Sequence, residues 1–327
     1  MRSSRIIGVV GWIGVLGLVL SGGTLGCDDG GGGSATGSSV TGAGAGAASG
    51  GPTTVGTGST SGGSTVSSGA GGATAGCGIP SVGGVTNESI DVAGVARTFV
   101  LVVPAAYDPT TPIPVVFGWH GNNWAGATFR PSIDVEGALA TPAILVYADG
   151  LSVDGLPAEA AGGVTGTGWD WRPDGRDVAL FDALYARLSA EYCIDPNRVW
   201  SYGRSHGGFF AHTLACARPS VIRKSATVSG GLSPAVAGAA CAAPHMPIWI
   251  AHNGGDPTVP VSFAHAARDL WVGKDGCGAT TTPTSPAPCV AYDGCAVDGV
   301  VYCETTLGNH EPPPFSAAGI AGFFLAP

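Results

Sequence analysis

Charged side chains are scarce in this sequence, and positive ones are scarcest. Its 327 residues include 14 Lys and Arg against 23 Asp and Glu, a net charge of −9, with no stripe of basic residues. Such a chain lacks the electrostatic footprint of a nucleic-acid binder or of a protein drawn to an anionic membrane surface. The expected partner is a neutral or modestly polar substrate. No two cysteines stand in C-x-x-C spacing, and no Cys/His cluster has the spacing of zinc ligands, so no metal site is expected. No internal repeat is visible. The apolar run at residues 6–20 is too short to span a bilayer stably.

That run is preceded by Arg2 and Arg5, the n-region and h-region of an export signal over residues 1–27. Small residues lead into Cys27, a pattern similar to a bacterial lipoprotein cleavage site that leaves Cys27 acylated, although Thr24 stands where an aliphatic residue is usual. The expected location is extracytoplasmic, secreted or held at the cell surface through that lipid, the only membrane attachment expected. Residues 28–76 are almost entirely Gly, Ser, Thr and Ala, with little apolar surface to bury, and read as a disordered tether. Setting Cys27 aside leaves Cys77, Cys193, Cys216, Cys241, Cys277, Cys289, Cys295 and Cys303. In an oxidising compartment that even set predicts four disulfides, with the pairing left open.

From residue 77 to 327 the pattern changes to short β-rich runs alternating with helical periodicity, which predicts a mainly parallel sheet covered by helices. Residues 98–103, 114–117, 143–147, 198–202, 225–228 and 247–251 read as strands, several apolar on both faces, and 300–306 as the last. Residues 177–192 place Phe181, Leu184, Tyr185 and Leu188 on one helical face, and 263–271 repeats the pattern more briefly. Two Pro- and Gly-rich stretches, 150–168 and 277–288, interrupt this order and are expected to be binding loops.

Within that frame Gly203-Arg204-Ser205-His206-Gly207 is the one G-x-S-x-G of the chain. A strand precedes it and a helical stretch, 208–216, follows, the setting in which a serine sits on a sharp turn with its hydroxyl raised above the sheet. Small residues two positions either side let strand and helix approach. The helix start then aims unpaired N–H groups, that of His206 first, at a developing oxyanion. In this architecture the acid and the histidine follow the serine in chain order. Asp256 stands in a loop directly after the strand at 247–251, where its carboxylate projects at the sheet's C-terminal edge. His310 lies in a loop after the last strand, whereas His265 falls within a helix. The expected triad is Ser205, Asp256 and His310, with Asp293, Asp298 and Glu311 as other acids, and its chemistry needs no cofactor. The Asn122 N–H, after the strand that runs into His120-Gly121, is the expected second oxyanion donor. Trp119, Trp124, Trp169 and Trp171, with His120, cluster near these turns and are candidates to bind substrate by stacking a phenolic acid or a sugar.

Besides the serine turn, the chain carries Gly76-Cys-Gly78, Val116-Phe-Gly-Trp-His120, Tyr192-Cys-Ile-Asp195, Leu214-Ala-Cys-Ala-Arg-Pro219, Tyr292-Asp-Gly-Cys295 and Asn309-His-Glu-Pro-Pro313. Over most of residues 77–314 it resembles the secreted feruloyl esterases and the broader group that includes polyhydroxybutyrate depolymerases. The resemblance implies an α/β-hydrolase fold, a Ser-Asp-His triad on Ser205, Asp256 and His310, and release of hydroxycinnamic acids such as ferulate from plant cell-wall xylan. Arg204 before the serine and the run Glu311-Pro-Pro-Pro314 depart from the pattern, and bear on the acyl group more than on the triad. The rival readings are a polyhydroxybutyrate depolymerase or an acetyl-xylan esterase with the same triad, and a non-catalytic surface lipoprotein on a hydrolase scaffold.

Overall fold

A strand buried on both sides must offer apolar side chains up and down in turn, and the central runs of this chain do so. In the computed structural model, which describes residues 73–297 and 299–327, Val115, Phe117 and Trp119 pack to one side of a sheet while Val116 packs to the other. Ile248 and Ile250 divide from Trp249 and Ala251 in the same way.

The chain runs β1 (Gly84–Val92), β2 (Val95–Val103), β3 (Ile113–Trp119), α1 (Gly126–Phe129), α2 (Val135–Ala138), β4 (Ile144–Ala148), β5 (Leu151–Ser152), α3 (Ala158–Ala161), β6 (Thr167–Gly168) and α4 (Arg176–Glu191). It continues through β7 (Ile194–Arg204), α5 (His206–Ala217), β8 (Lys224–Val228), β9 (Ile248–Asn253), α6 (Ser262–Lys274), β10 (Thr281–Pro283), β11 (Val290–Tyr292), β12 (Val300–Thr305) and α7 (Ser316–Leu325). Ten strands form one sheet in the order β1-β2-β4-β3-β7-β8-β9-β12-β11-β10. The run from β4 to β12 is parallel, and the strands added at each edge pair antiparallel.

Helices α4, α5 and α6 cover one face, and α7 with α1 and α2 covers the other. On α4 the side chains of Phe181, Leu184 and Leu188 are fully buried and Tyr185 partly so, the face that their spacing predicts. Each such burial contributes on the order of 1.5–3 kcal/mol. The eight cysteines form four bridges: Cys77–Cys193, Cys216–Cys241, Cys277–Cys295 and Cys289–Cys303.

Two expectations about loops are corrected or refined. Residues 277–288 are not a binding loop: Thr281–Pro283 pairs with Val290–Tyr292 at the far edge of the sheet, where two bridges staple it. Residues 150–168 hold the β5–β6 ribbon and α3, and this segment does border the site described next. Cys27, the leader at 1–27, most of the tether and Asp298 lie outside the described residues.

Candidate active site

Strand β7 ends at Arg204 and α5 begins at His206, leaving Ser205 alone on the turn with φ 54° and ψ −122°. A non-glycine residue with positive φ stores strain, which such turns tolerate because their surroundings over-determine them. The flanking glycines are a steric necessity. A Cβ on Gly203 would lie 2.1 Å from the Gly207 carbonyl oxygen, and one on Gly207 would lie 2.1 Å from that of Trp119.

Asp256 sits in the loop after β9, its carboxylate buried. One carboxylate oxygen accepts the Thr258 and Val259 N–H groups at 2.8 and 3.0 Å, and the other lies 2.6 Å from His310 Nδ1. A carboxylate only accepts, so the imidazole proton is on Nδ1 and Nε2 is left to accept the Ser205 hydroxyl, 2.9 Å away. The loops that carry the acid and the base are sewn together. The Asn253 amide donates to the Asn309 and Glu311 carbonyls at 3.0 and 2.8 Å, and Gly255 N–H donates to the Leu307 carbonyl at 3.0 Å.

His206 presents its backbone N–H at the start of α5, where the first turn has no intrahelical acceptor. Its side chain is structural: Nδ1 accepts the Trp169 N–H and Nε2–H donates to the Ala161 carbonyl, both at 3.1 Å. Burial pulls its pKa down to about 4, so the ring is neutral. Asn122 borders the same cleft as Ser205 and His206, and Gly121 is close enough that a Cβ there would lie 3.4 Å from Ser205 Cβ. Both expected oxyanion donors thus stand beside the serine.

No family model matches the chain. It is 28% identical to Feruloyl esterase C of Emericella nidulans over 221 residues, which cover 61% of this chain and 75% of that one. It is 26% identical to Feruloyl esterase D of Neurospora crassa over 261 residues, covering 73% and 82%. Among solved structures, the acetyl xylan esterase from Aspergillus awamori matches with a TM-score of 0.55 at 13% identity, covering 74% of this chain and 100% of that one. The ferulic acid esterase of Anaeromyces mucronatus matches with a TM-score of 0.51 at 14% identity, covering 75% and 90%. The fold is that of the α/β-hydrolases.

At the hydrolase elbow a cleft of about 420 Å³ opens beside Ser205. Trp171, Phe209, Leu232, Val259 and Phe263 wall it with Val164 of the 150–168 segment, and none of its lining side chains is Lys, Arg, Asp or Glu. Of the four tryptophans expected to bind substrate, only Trp171 lines this cleft. Trp119 and Trp169 are corrected to core residues: both are fully buried, and their indole N–H groups donate to Ser201 Oγ and the His120 carbonyl at 2.9 and 2.8 Å. Three aromatic residues crowded at one sheet edge are as well satisfied by packing on each other, and Trp119, Trp169 and Phe210 do so with ring centroids 4.9–5.3 Å apart. Trp124 is half-buried, with the Arg204 guanidinium 4.7 Å from its ring centroid.

His120 is also corrected. It is fully buried and ties the turn after β3 to the 150–168 segment, accepting the Gly150 N–H at Nε2, 2.8 Å away. Of the other acids, Glu311 is largely exposed and Asp293 accepts the Thr282 hydroxyl away from the serine. His265 pairs with Glu304 on the surface. Three further residues act at the site, of which only Arg204 stands out in the sequence, and there as a mark of the acyl group rather than of the triad. Asn253 pins the histidine loop, Arg204 reaches the His310 carbonyl, and His252 Nε2 stands 3.5 Å from Asp256 Oδ2, the oxygen that also meets His310. His252 is held neutral by burial and donates through Nε2 to the Val259 carbonyl at 2.8 Å.

Proposed function

We propose that the chain is an extracytoplasmic serine carboxylesterase that releases hydroxycinnamic acids of the ferulate type from plant cell-wall xylan. One observation carries the reading: an unbroken hydrogen-bonded line from Ser205 through His310 to Asp256, set at the mouth of an apolar, uncharged cleft. The cleft volume falls within the range of about 300–1,000 Å³ usual for small-molecule sites. Its walls suit a neutral aromatic acyl group.

In the reaction His310 takes the Ser205 proton as Oγ attacks the ester carbonyl, and the His206 and Asn122 N–H groups receive the oxyanion. The imidazolium, paired with Asp256, returns the proton to the departing alcohol, and water repeats the cycle on the acyl-enzyme. The names of the relatives, feruloyl esterases C and D, support the acyl group. The disulfides and the leader-like residues 1–27 support export, and acylation of Cys27 is the proposed anchor.

The test uses the chain expressed in an oxidising compartment, with methyl ferulate, p-nitrophenyl acetate and a polyhydroxybutyrate suspension as substrates. Ferulate release that drops by about 10³-fold or more in Ser205→Ala is the expected outcome. Clearing of the polyester with poor ferulate turnover would move the assignment to depolymerase. Faster turnover of acetate esters would move it to an acetyl esterase, and no serine-dependent turnover in folded protein would end the esterase reading.

A further inference from the structure

Arg204 occupies the position before the nucleophile with its side chain only 5% exposed. Burying a guanidinium is costly unless its charge and its donors are met, and here they are met unevenly. One Nη2–H donates to the His310 carbonyl at 2.6 Å. The planar group stacks over the Trp124 ring, 4.7 Å from its centroid. Of its two acidic neighbours, Asp256 is already committed to His310, and Glu311 is 3.5 Å away and 75% exposed, a separation and exposure at which an ion pair is weak. The Nε donor has no hydrogen-bond partner. The unmet Nε leaves Nη2 as the donor through which the guanidinium is fixed. The strong contact this one makes is to the backbone of the histidine that faces Ser205.

We propose that Arg204 is a positioning residue for the general base: stacked on Trp124, it holds the His310 carbonyl and so fixes the approach of the imidazole to Ser205 Oγ. The inference rests on the esterase reading above. Asn253 fixes the same loop from the β9 side through the Asn309 and Glu311 carbonyls, leaving the His310 carbonyl between them to Arg204. The two anchors, at the ends of β7 and β9, therefore hold three successive carbonyls of the loop. None of the residues that line the acyl cleft belongs to the Arg204 contacts, so loss of the brace is expected in the chemical step and not in substrate binding.

The experiment compares wild type with Arg204→Ala and Arg204→Lys, measuring kcat and KM for p-nitrophenyl acetate. A fluorophosphonate titration counts competent serines, so that a misfolded fraction is removed from kcat. In Arg204→Ala, kcat per competent site is expected to fall by roughly 10- to 100-fold, the cost of about an ångström of misplacement, with KM within about twofold. Millimolar methylguanidinium should restore part of that loss in Arg204→Ala and leave wild type unchanged. Arg204→Lys should fall in between, since a point charge reaches the carbonyl but cannot stack as a plane on Trp124. The proposal is overturned by an unchanged kcat per site, by a loss that appears only in the number of competent sites, or by a kcat loss that neither methylguanidinium nor lysine recovers. A wild type that is itself inactive and unlabelled would instead count against the esterase reading.

Discussion

A single carboxylate decides the protonation of the base. With Asp256 Oδ2 at 2.6 Å from His310 Nδ1, only the tautomer that can receive the serine proton is stable. Asp256→Asn would let the amide donate to Nδ1 and turn the ring's proton toward Ser205. A loss of about 10⁴-fold in kcat is expected, measured on p-nitrophenyl acetate. The triad was open to reading in the sequence, because the strand-turn-serine-helix context, the order acid-then-histidine and the loop positions of Asp256 and His310 leave few choices. Residues that act through a neighbour were not. Asn253 is an uncharged amide, Arg204 stood out only as a departure beside the serine with nothing to show that it reaches the histidine loop, and His252 is passed over by an ordering rule that selects only the base. The tryptophans failed for another reason: a loop-like string says nothing about whether a ring faces solvent or another ring.

Helix α5 can meet β7 only because no side chain stands between them. Gly207→Ala would put a methyl group 2.1 Å from the Trp119 carbonyl oxygen, so either the elbow or β3 must move. A destabilisation of about 1–3 kcal/mol is expected, read as a lower urea midpoint, together with a fall in kcat as the serine leaves its strained turn. The parallel strands were visible in the sequence because burial on both faces makes them uniformly apolar. The edges were not. Gly84–Val92 carries Asn87, Glu88 and Ser89 and is mostly exposed, so its hairpin with β2 has no apolar signal. The sequence pattern of helix α7 is interrupted by Gly319 and Gly322 although the helix is continuous, and a Cβ on Gly319 would meet the Trp249 ring at 2.6 Å.

Acid should loosen the whole molecule before it affects any one contact. Burial draws the pKa of His206 down to about 4 and that of His212 to about 3, and lowers those of His120 and His252 as well. Unfolded histidines bind protons from about pH 6.5 downward, so below that pH the unfolded chain takes up more protons and stability falls as pH falls. Burial raises the pKa of Asp275 to about 6 and that of Asp177 above its ordinary value, which opposes the trend. The histidines are more numerous, and the shifts of His206 and His212 both exceed that of Asp275. The expected result is a urea midpoint that drops between pH 6.5 and 4, by on the order of a few kcal/mol in unfolding free energy. His212→Gln should flatten that slope, and a midpoint constant with pH would contradict the account. The Cys77–Cys193 bridge has a mechanical meaning too. Thr74 accepts the Ile194 N–H and Gly76 donates to the Ser189 carbonyl, both at 2.9 Å, so the chain enters the domain clamped at the blunt end of β7. Ser205 follows the other end of that 11-residue strand, about 35 Å on at the usual rise. A load applied at Thr74 would therefore pass through a covalent link into a strand held on both sides by parallel neighbours, which share it in shear.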